Sequence, residues 1–313
     1  MTVLVLGEAL IDRFHNATGV QDVPGGSAAN VALGVARLGV ESTLGTWVAE
    51  DSAGRQLTDH LADSAVRLAP GSTDAPVTSI ADIQLSPKGD AQYEFTIQWA
   101  PPVFALDAEV LALHTGSIAA VMEPGAESVR TLVEAAKSQA VITFDPNARP
   151  AIMDQIPDSQ RLLREASYQA DLIKVSDEDC AWLTGLERSH FQPSQEHPEL
   201  VDDWFAHGVS LVVITAGKAG LVAYLPDGTK ILQESKPRRV VDTVGAGDSV
   251  MAALLVQLVE QRISPDFSVS KRRLVFSPHQ VKEMLHYAST VAALTCERAG
   301  ADLPTREQVQ ERL

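Results

Sequence analysis

The chain predicts an α/β fold around a mostly parallel sheet. Three observations carry it. Short continuous apolar runs recur, beginning with Val3-Leu4-Val5-Leu6, as strands buried on both faces require. Helical stretches lie between several of these runs, so strand and helix alternate as in right-handed βαβ units. Finally, 313 residues with 45% hydrophobic content suffice for a large core.

In chain order, the first strand ends at Gly7. Ser27 is placed to cap a helix running through Ala28, Val31, Ala32, Val35 and Leu38, which Gly39 stops. Further strands are expected at 44–48, 140–144, 171–175 and 211–215, with helices at 126–138 and 159–170. Residues 77–85 and 91–98 instead alternate with period two around the turn Ser86-Pro87-Lys88-Gly89-Asp90. This hairpin reads as a β flap standing off the main sheet, or else as an antiparallel edge of it. A second hairpin joins 220–225 to 229–233 through Pro226-Asp227-Gly228. The polar, proline-containing stretch 187–198 reads as a surface loop, and Lys271-Arg272-Arg273 as a solvated patch. No internal repeat is evident.

The formal net charge of −16 disfavours general nucleic-acid binding. A small anion remains compatible, because local amides outweigh the global sign. Cys180 and Cys296 lie in apolar helix-like stretches without zinc-type spacing, which suggests buried free thiols in a reducing compartment. Neither a signal peptide nor a membrane-spanning apolar run is apparent. A cytoplasmic protein without membrane partners is therefore expected.

The densest chemical signal is Val241-Asp242-Thr243-Val244-Gly245-Ala246-Gly247-Asp248-Ser249, followed by an apolar helix. Free N–H groups at such a turn, together with the helix dipole, suit a phosphate. Asp248 beside it suggests proton handling; the simpler reading makes Asp248 or Ser249 a helix cap. At the first strand's end, Glu8 and Asp12 lie where ligands of open α/β sheets bind. A carboxylate at Asp12 can accept hydrogen bonds from sugar hydroxyls, although acids at strand ends are common. Gly25-Gly26 allow close backbone approach, and Asn30 follows in the first helical turn. No G-x-x-x-x-G-K-[ST] is present, and no G-x-G-x-x-G follows the first strand.

Two of these segments, in this order, carry a resemblance. Gly25-Gly26-Ser27-Ala28-Ala29-Asn30-Val31-Ala32 through Arg37-Leu38-Gly39, and Asp242-Thr243-Val244-Gly245-Ala246-Gly247-Asp248-Ser249, resemble the two signatures of the ribokinase-like (PfkB) carbohydrate kinases. Gly7-Glu8-Ala9-Leu10-Ile11-Asp12, Thr115-Gly116-Ser117, Asp145-Pro146-Asn147-Ala148-Arg149, Lys174-Val175-Ser176-Asp177-Glu178-Asp179 and Ile214-Thr215-Ala216-Gly217 fall in the family's order. The likeness spans the chain and is nearest to the fructokinases.

The resemblance implies a single domain over 1–313, a three-layer α/β/α sandwich with a small β-sheet lid at about 13–23 and 71–102. It implies ATP-dependent phosphorylation of a sugar hydroxyl, with fructose giving fructose 6-phosphate. Ribose, nucleoside and 2-keto-3-deoxygluconate kinases of the same family are the alternatives, and a non-catalytic sugar-binding regulator a remote one. Asp248 matches the catalytic base, and Gly245, Ala246 and Gly247 the anion hole. Asp12, Gly25, Gly26 and Asn30 match sugar-binding positions, and Arg149 an arginine directed at sugar or phosphates. Ser176, Thr215, Gly217 and Gly220 fall on the ATP site with Gly245 and Gly247. Asp179 corresponds to an acid that acts on Mg²⁺ through water; the motif departs from the family's usual Asn-x-x-Glu, with Ser176 first and the acid one methylene shorter. Asp242, Val244 and Gly300 correspond loosely to a monovalent-cation (K⁺) site. Tyr93, Phe95, Trp99 and Phe104 in and beyond the flap are candidates to cover a sugar or to pack. The flap's alternating apolar residues favour a homodimer through the lid.

Overall fold

The computed structural model describes residues 1–16, 19–85, 91–195, 197–261 and 274–313. The hairpin turn at 86–90 and the basic cluster at 271–273 lie outside the described residues. The elements are β1 (Thr2–Leu6), β2 (Leu10–Asn16), β3 (Gly19–Gly25), α1 (Ser27–Arg37), β4 (Glu41–Gly45), α2 (Ser52–Ala62), β5 (Arg67–Leu68), β6 (Ile80–Leu85), β7 (Ala91–Thr96), β8 (Val110–Gly116), α3 (Gly125–Ala136), β9 (Val141–Asp145), α4 (Pro150–Met153), α5 (Ser159–Ser167), β10 (Leu172–Ser176), α6 (Asp177–Thr184), α7 (Glu199–Ala206), β11 (Leu211–Thr215), β12 (Leu221–Tyr224), β13 (Lys230–Gln233), α8 (Ala246–Glu260), α9 (Pro278–Cys296) and α10 (Arg306–Gln310).

The large sheet has the order β13-β12-β11-β10-β9-β8-β1-β4-β5. It is parallel from β5 to β11; β12 and β13 add antiparallel strands at one edge. Side chains alternate across a strand, so each face builds its own core. Val3 and Val5 of β1 pack with Val31, Val35, Leu254 and Val291 of α1, α8 and α9. Leu4 and Leu6 pack on the other face with Val129, Leu163, Cys180 and Trp204 of α3, α5, α6 and α7. The result is the three-layer sandwich expected.

A second sheet, in the order β3-β2-β6-β7, stands apart from the first. The flap hairpin pairs Ile80 with Thr96 and Leu85 with Ala91, so it is not an edge of the main sheet. This sheet draws β2 and β3 from the stretch just after β1, joined to β6 by parallel pairing.

The chain leaves β1 for β4 on one side and fills β8 to β11 on the other. The order therefore reverses between β1 and β8, which opens a crevice at their carboxyl ends. Gly116 ends β8, and Glu8 and Ser117 lie just beyond the two strand ends.

Several local expectations shift. The strand expected at 44–48 is Glu41–Gly45. Val48 lies beyond it, buried in a loop whose N–H donates to the Ser72 carbonyl at 2.9 Å; its apolarity reflects burial rather than strand. Residues 187–198 are not wholly superficial, since Phe191 is buried in a short 3₁₀ turn. Cys180 is buried, but Cys296 is only half-buried. Trp99 belongs to the core, its indole N–H donating to the Ala119 carbonyl at 3.1 Å, and so is not available to cover a sugar.

Candidate active site

Local rules make Ser27, Asp248 and Ser249 helix caps, yet none of the three caps a helix: tertiary contacts claim Ser27 and Asp248, and a bond within α8 claims Ser249. The N-cap of α1 is Gly26 at φ +101°, with no side-chain cap. The N-cap of α8 is Gly245 at φ +75°, also without one. Ser249 Oγ donates back to the Ala246 carbonyl at 2.7 Å. Ser27 Oγ donates to Asp248 Oδ1 at 2.7 Å, and Asn30 Nδ2 donates to Asp248 Oδ2 at 2.8 Å. The two glycine-rich motifs thus meet through one carboxylate that is only 8% exposed.

Beside Asp248, the N–H groups of Gly245 and Gly247 have no acceptor among the described residues. The Ala246 N–H donates to the Thr243 carbonyl at 3.2 Å. The open donors of this turn are therefore Gly245 and Gly247, continued by Asp248 N–H, rather than all of 245–247. Of these, Gly247 borders a cavity of about 640 Å³ that is also lined by Ser176, Asp179, Thr215, Gly217 and Gly220, with Val240, Ala292 and Cys296 supplying apolar wall. Gly220 also has a steric duty, because a Cβ there would meet the Gln233 carbonyl at 2.2 Å.

Asp179 is largely committed. Its Oδ2 accepts from Ser176 N and Oγ, and its Oδ1 from Ala148 N at 2.8 Å; Ser176 in turn caps α6. Oδ2 holds that box, which leaves a spare lone pair on Oδ1 to accept from a metal-bound water. Among the described residues no cluster of three or more acidic, His or Cys side chains could hold a metal.

Asp242 joins two loops. Its Oδ1 accepts from Thr243 N and Val244 N, and its Oδ2 from Gly300 N at 2.9 Å. These N–H groups, Gly300's foremost, hold its carboxyl below the usual range. The carboxylate thus ties the two loops together, and a lone pair on Oδ2 is left for a cation beside the backbone carbonyls.

On the other side of Asp248 lie Asp12, Gly25 and Gly26. A Cβ on Gly25 would come within 2.3 Å of Asp12 Oδ2, so the missing side chain makes room for that carboxyl. Burial pushes Asp12 up to about 6, against the opposing charge of Arg149. Arg149 lines the large cavity and also acts electrostatically on Glu8 and Asp12, so it stands between the two halves. Its Nη1 donates to Asn147 Oδ1 at 2.7 Å.

Two buried carboxyls were not assigned from sequence. Glu8 is pushed up to about 7 by burial, with its own and Ser27's backbone N–H and Arg149 opposing and Asp248 adding to the rise. Asp145 is pushed up to about 6 by burial, despite its pairing with Lys174. Glu8 Oε2 and Asp145 Oδ1 have no hydrogen-bond partner among the described residues. Both residues line a void of about 10 Å³ with Ser27, His114 and Ser117, about the room that one water needs. Their only advance signal was an acid placed directly at the end of an apolar strand.

The raised Glu8 carboxyl makes a prediction. A folded-state value above the unfolded one favours the protonated fold, so this stability is present below about 4.5 and is lost as pH rises through about 7. Glu8→Gln should remove that loss, on the order of 3 kcal/mol. Thermal midpoints between pH 5 and 8 should fall less steeply in the variant. Parallel curves for the two proteins would show that Glu8 is not the titrating group.

The fold and this two-sided site define a phosphotransferase-like α/β protein, and comparison makes the class definite. The profile of the pfkB family carbohydrate kinases matches residues 2–308, and the chain belongs to that family. It is 33% identical over 270 residues to a fructokinase of Rhizobium leguminosarum bv. trifolii, covering 82% of this chain and 79% of that one. It is 30% identical over 332 residues to a fructokinase of Klebsiella pneumoniae, covering 99% of each. The crystal structure of a fructokinase with bound ATP from Xylella fastidiosa superposes with a TM-score of 0.80 at 21% identity, covering 99% and 97% of the two chains; that likeness concerns the fold. Among the described residues no helix is long and apolar enough to cross a membrane.

Proposed function

We propose that this chain transfers the γ-phosphoryl group of ATP to a hydroxyl of fructose, giving fructose 6-phosphate. The observation that carries the reading is the position of Asp248, held by Ser27 and Asn30 on one side and flanked by the free amides of the α8 turn on the other. The sugar sits over Asp12, Gly25, Gly26 and Asn30 beneath the small sheet. ATP lies in the large cavity along Ser176, Thr215, Gly217 and Gly220, with its γ-phosphate at Gly245 and Gly247. Arg149 reaches the phosphates or the sugar from between them. As the sugar oxygen bonds to Pγ, the bond from Pγ to the bridging oxygen breaks and ADP leaves. Asp248 accepts the hydroxyl proton as that bond forms. The amides stabilise charge spreading onto the phosphoryl oxygens. Closure of the small sheet excludes water that would otherwise hydrolyse ATP.

Mg²⁺, when bound, would neutralise phosphate charge, with Asp179 placed to hold its water; the loops around Asp242, Val244 and Gly300 would hold a monovalent cation such as K⁺. The protein works in the cytoplasm as a dimer paired through the small sheet, whose β3 edge exposes Val20. The test is ATP consumption with fructose, ribose, glucose, adenosine and 2-keto-3-deoxygluconate. Fructose should turn over fastest, and the same preparation should sediment as a dimer. A faster rate on another acceptor would replace fructose; no rate on any would remove the kinase reading.

A further inference from the structure

We infer that Lys174 is a second catalytic residue, its ammonium donating to the phosphoryl group in transit at the Gly247 turn. The inference rests on the kinase reading above. Lys174 interrupts the apolar strand β10 and is only 3% exposed. Its Nζ donates to Asp145 Oδ2 at 2.6 Å and meets no other acceptor among the described residues. An ammonium has three N–H donors, so two buried donors remain for a ligand. Their location is specific. A Cβ built on Gly247 would lie 3.1 Å from Nζ, which sets the ammonium against the first turn of α8. Lys174 and Gly247 line the same cavity.

A purely structural role explains this arrangement poorly. Buried ion pairs add little net stability over apolar residues of similar size, and a brace needs no unpaired donors. A phosphoryl group being transferred needs what the site offers, since negative charge spreads over its non-bridging oxygens. Burial pulls the Lys174 proton affinity down, but the charge and hydrogen bond of Asp145 outweigh it, and the net direction is upward. Lys174 therefore keeps its proton throughout, while the proton of the sugar hydroxyl goes to Asp248. It donates a hydrogen bond and undergoes no bond change of its own.

The test compares wild type, Lys174→Met, and the paired variant Lys174→Met with Asp145→Leu, which leaves no lone buried charge. Turnover should fall by about 10²–10³-fold in both variants, as for loss of one donor at a transition-state anion site. Calorimetric sugar affinity and ADP affinity should stay close to wild type. Joint binding of ADP with aluminium fluoride in the presence of sugar, a mimic of the phosphoryl group in transit, should be lost. Turnover of the paired variant within about fivefold of wild type, or retained aluminium fluoride binding, would overturn the assignment. Should neither variant fold, a crystal of the unmodified protein with sugar, ADP and aluminium fluoride decides. Nζ should lie about 3 Å from a fluoride, and separation beyond about 4 Å overturns the proposal. A wild type inert on every acceptor counts against the kinase reading, whereas an active wild type with equally active variants counts against Lys174 alone.

Discussion

Asp248→Asn should lower turnover on the preferred sugar by about 10²–10⁴-fold, the range that removal of a general base costs, while leaving sugar affinity within a few-fold of wild type. The hydrogen bonds explain why binding should survive. Asn30 Nδ2 needs an acceptor at 2.8 Å, which the side-chain carbonyl of the substituted residue still provides. Ser27 Oγ now donates at 2.7 Å. Its hydroxyl can rotate to accept from the new amide instead, so both arms of the bridge persist. What disappears is the capacity to take a proton. The loss should fall on kcat and kcat/KM together, the signature of an interaction made in the transition state. Coupled ADP release measures turnover, and calorimetry measures binding. Undiminished turnover would eliminate Asp248 as the proton acceptor.

Gly26→Ala should be strongly damaging although it adds only one methyl group. Gly26 sits at φ +101°, where L side chains are strained. Its new Cβ would lie 2.5 Å from the Glu8 carbonyl oxygen and 3.0 Å from Ala9 Cα. Both contacts are backbone atoms leaving the central strand β1 and cannot swing aside. The expected cost is about 3 kcal/mol or more, lowering the thermal midpoint by about 5 °C for a chain of this size. Moving the head of α1 also moves Ser27 and Asn30 away from Asp248, so turnover should fall even below the melting range. Gly25→Ala is the informative contrast. There the Cβ meets the Asp12 carboxylate at 2.3 Å, and a side chain can shift. Its effect should appear in KM for the sugar more than in the melt. A thermal midpoint for Gly26→Ala within about 1 °C of wild type would refute the clash.

Much of this architecture was legible from residue order. Strand β11 occupies 211–215 as its apolar run indicates, and β1 differs from its run by one residue. The period-two hairpin was legible as strands, but not its partners. Its parallel pairing with β2 joins segments about 70 residues apart, and periodicity says nothing about which edge a strand will find. The strand expected at 44–48 was misplaced by three residues, ending at Gly45, for a related reason: apolar residues are selected for burial, and a buried loop selects them as a strand does.

The site divides in the same way. The glycines at 25, 26, 245 and 247, the acids at 12 and 248 and Asn30 could be read as ligand chemistry because backbone freedom and side-chain type are properties of each residue. Lys174 and Asp145 could not, although an ionisable residue inside an apolar strand was the available hint. A lysine in such a strand is explained only once a carboxylate from the neighbouring strand lies within hydrogen-bond distance. Ser27 shows the same limit most plainly. Ahead of an apolar helix its hydroxyl should satisfy a local N–H, and any chain without Asp248 nearby would use it so. Folding instead brings a carboxylate 221 residues away to 2.7 Å, and a charged acceptor outcompetes a neutral local cap. Local sequence governs torsion and burial, which act over a few residues. The pairing of a hydroxyl, an amide and a lysine with particular carboxylates depends on distances that exist only after the chain has closed on itself.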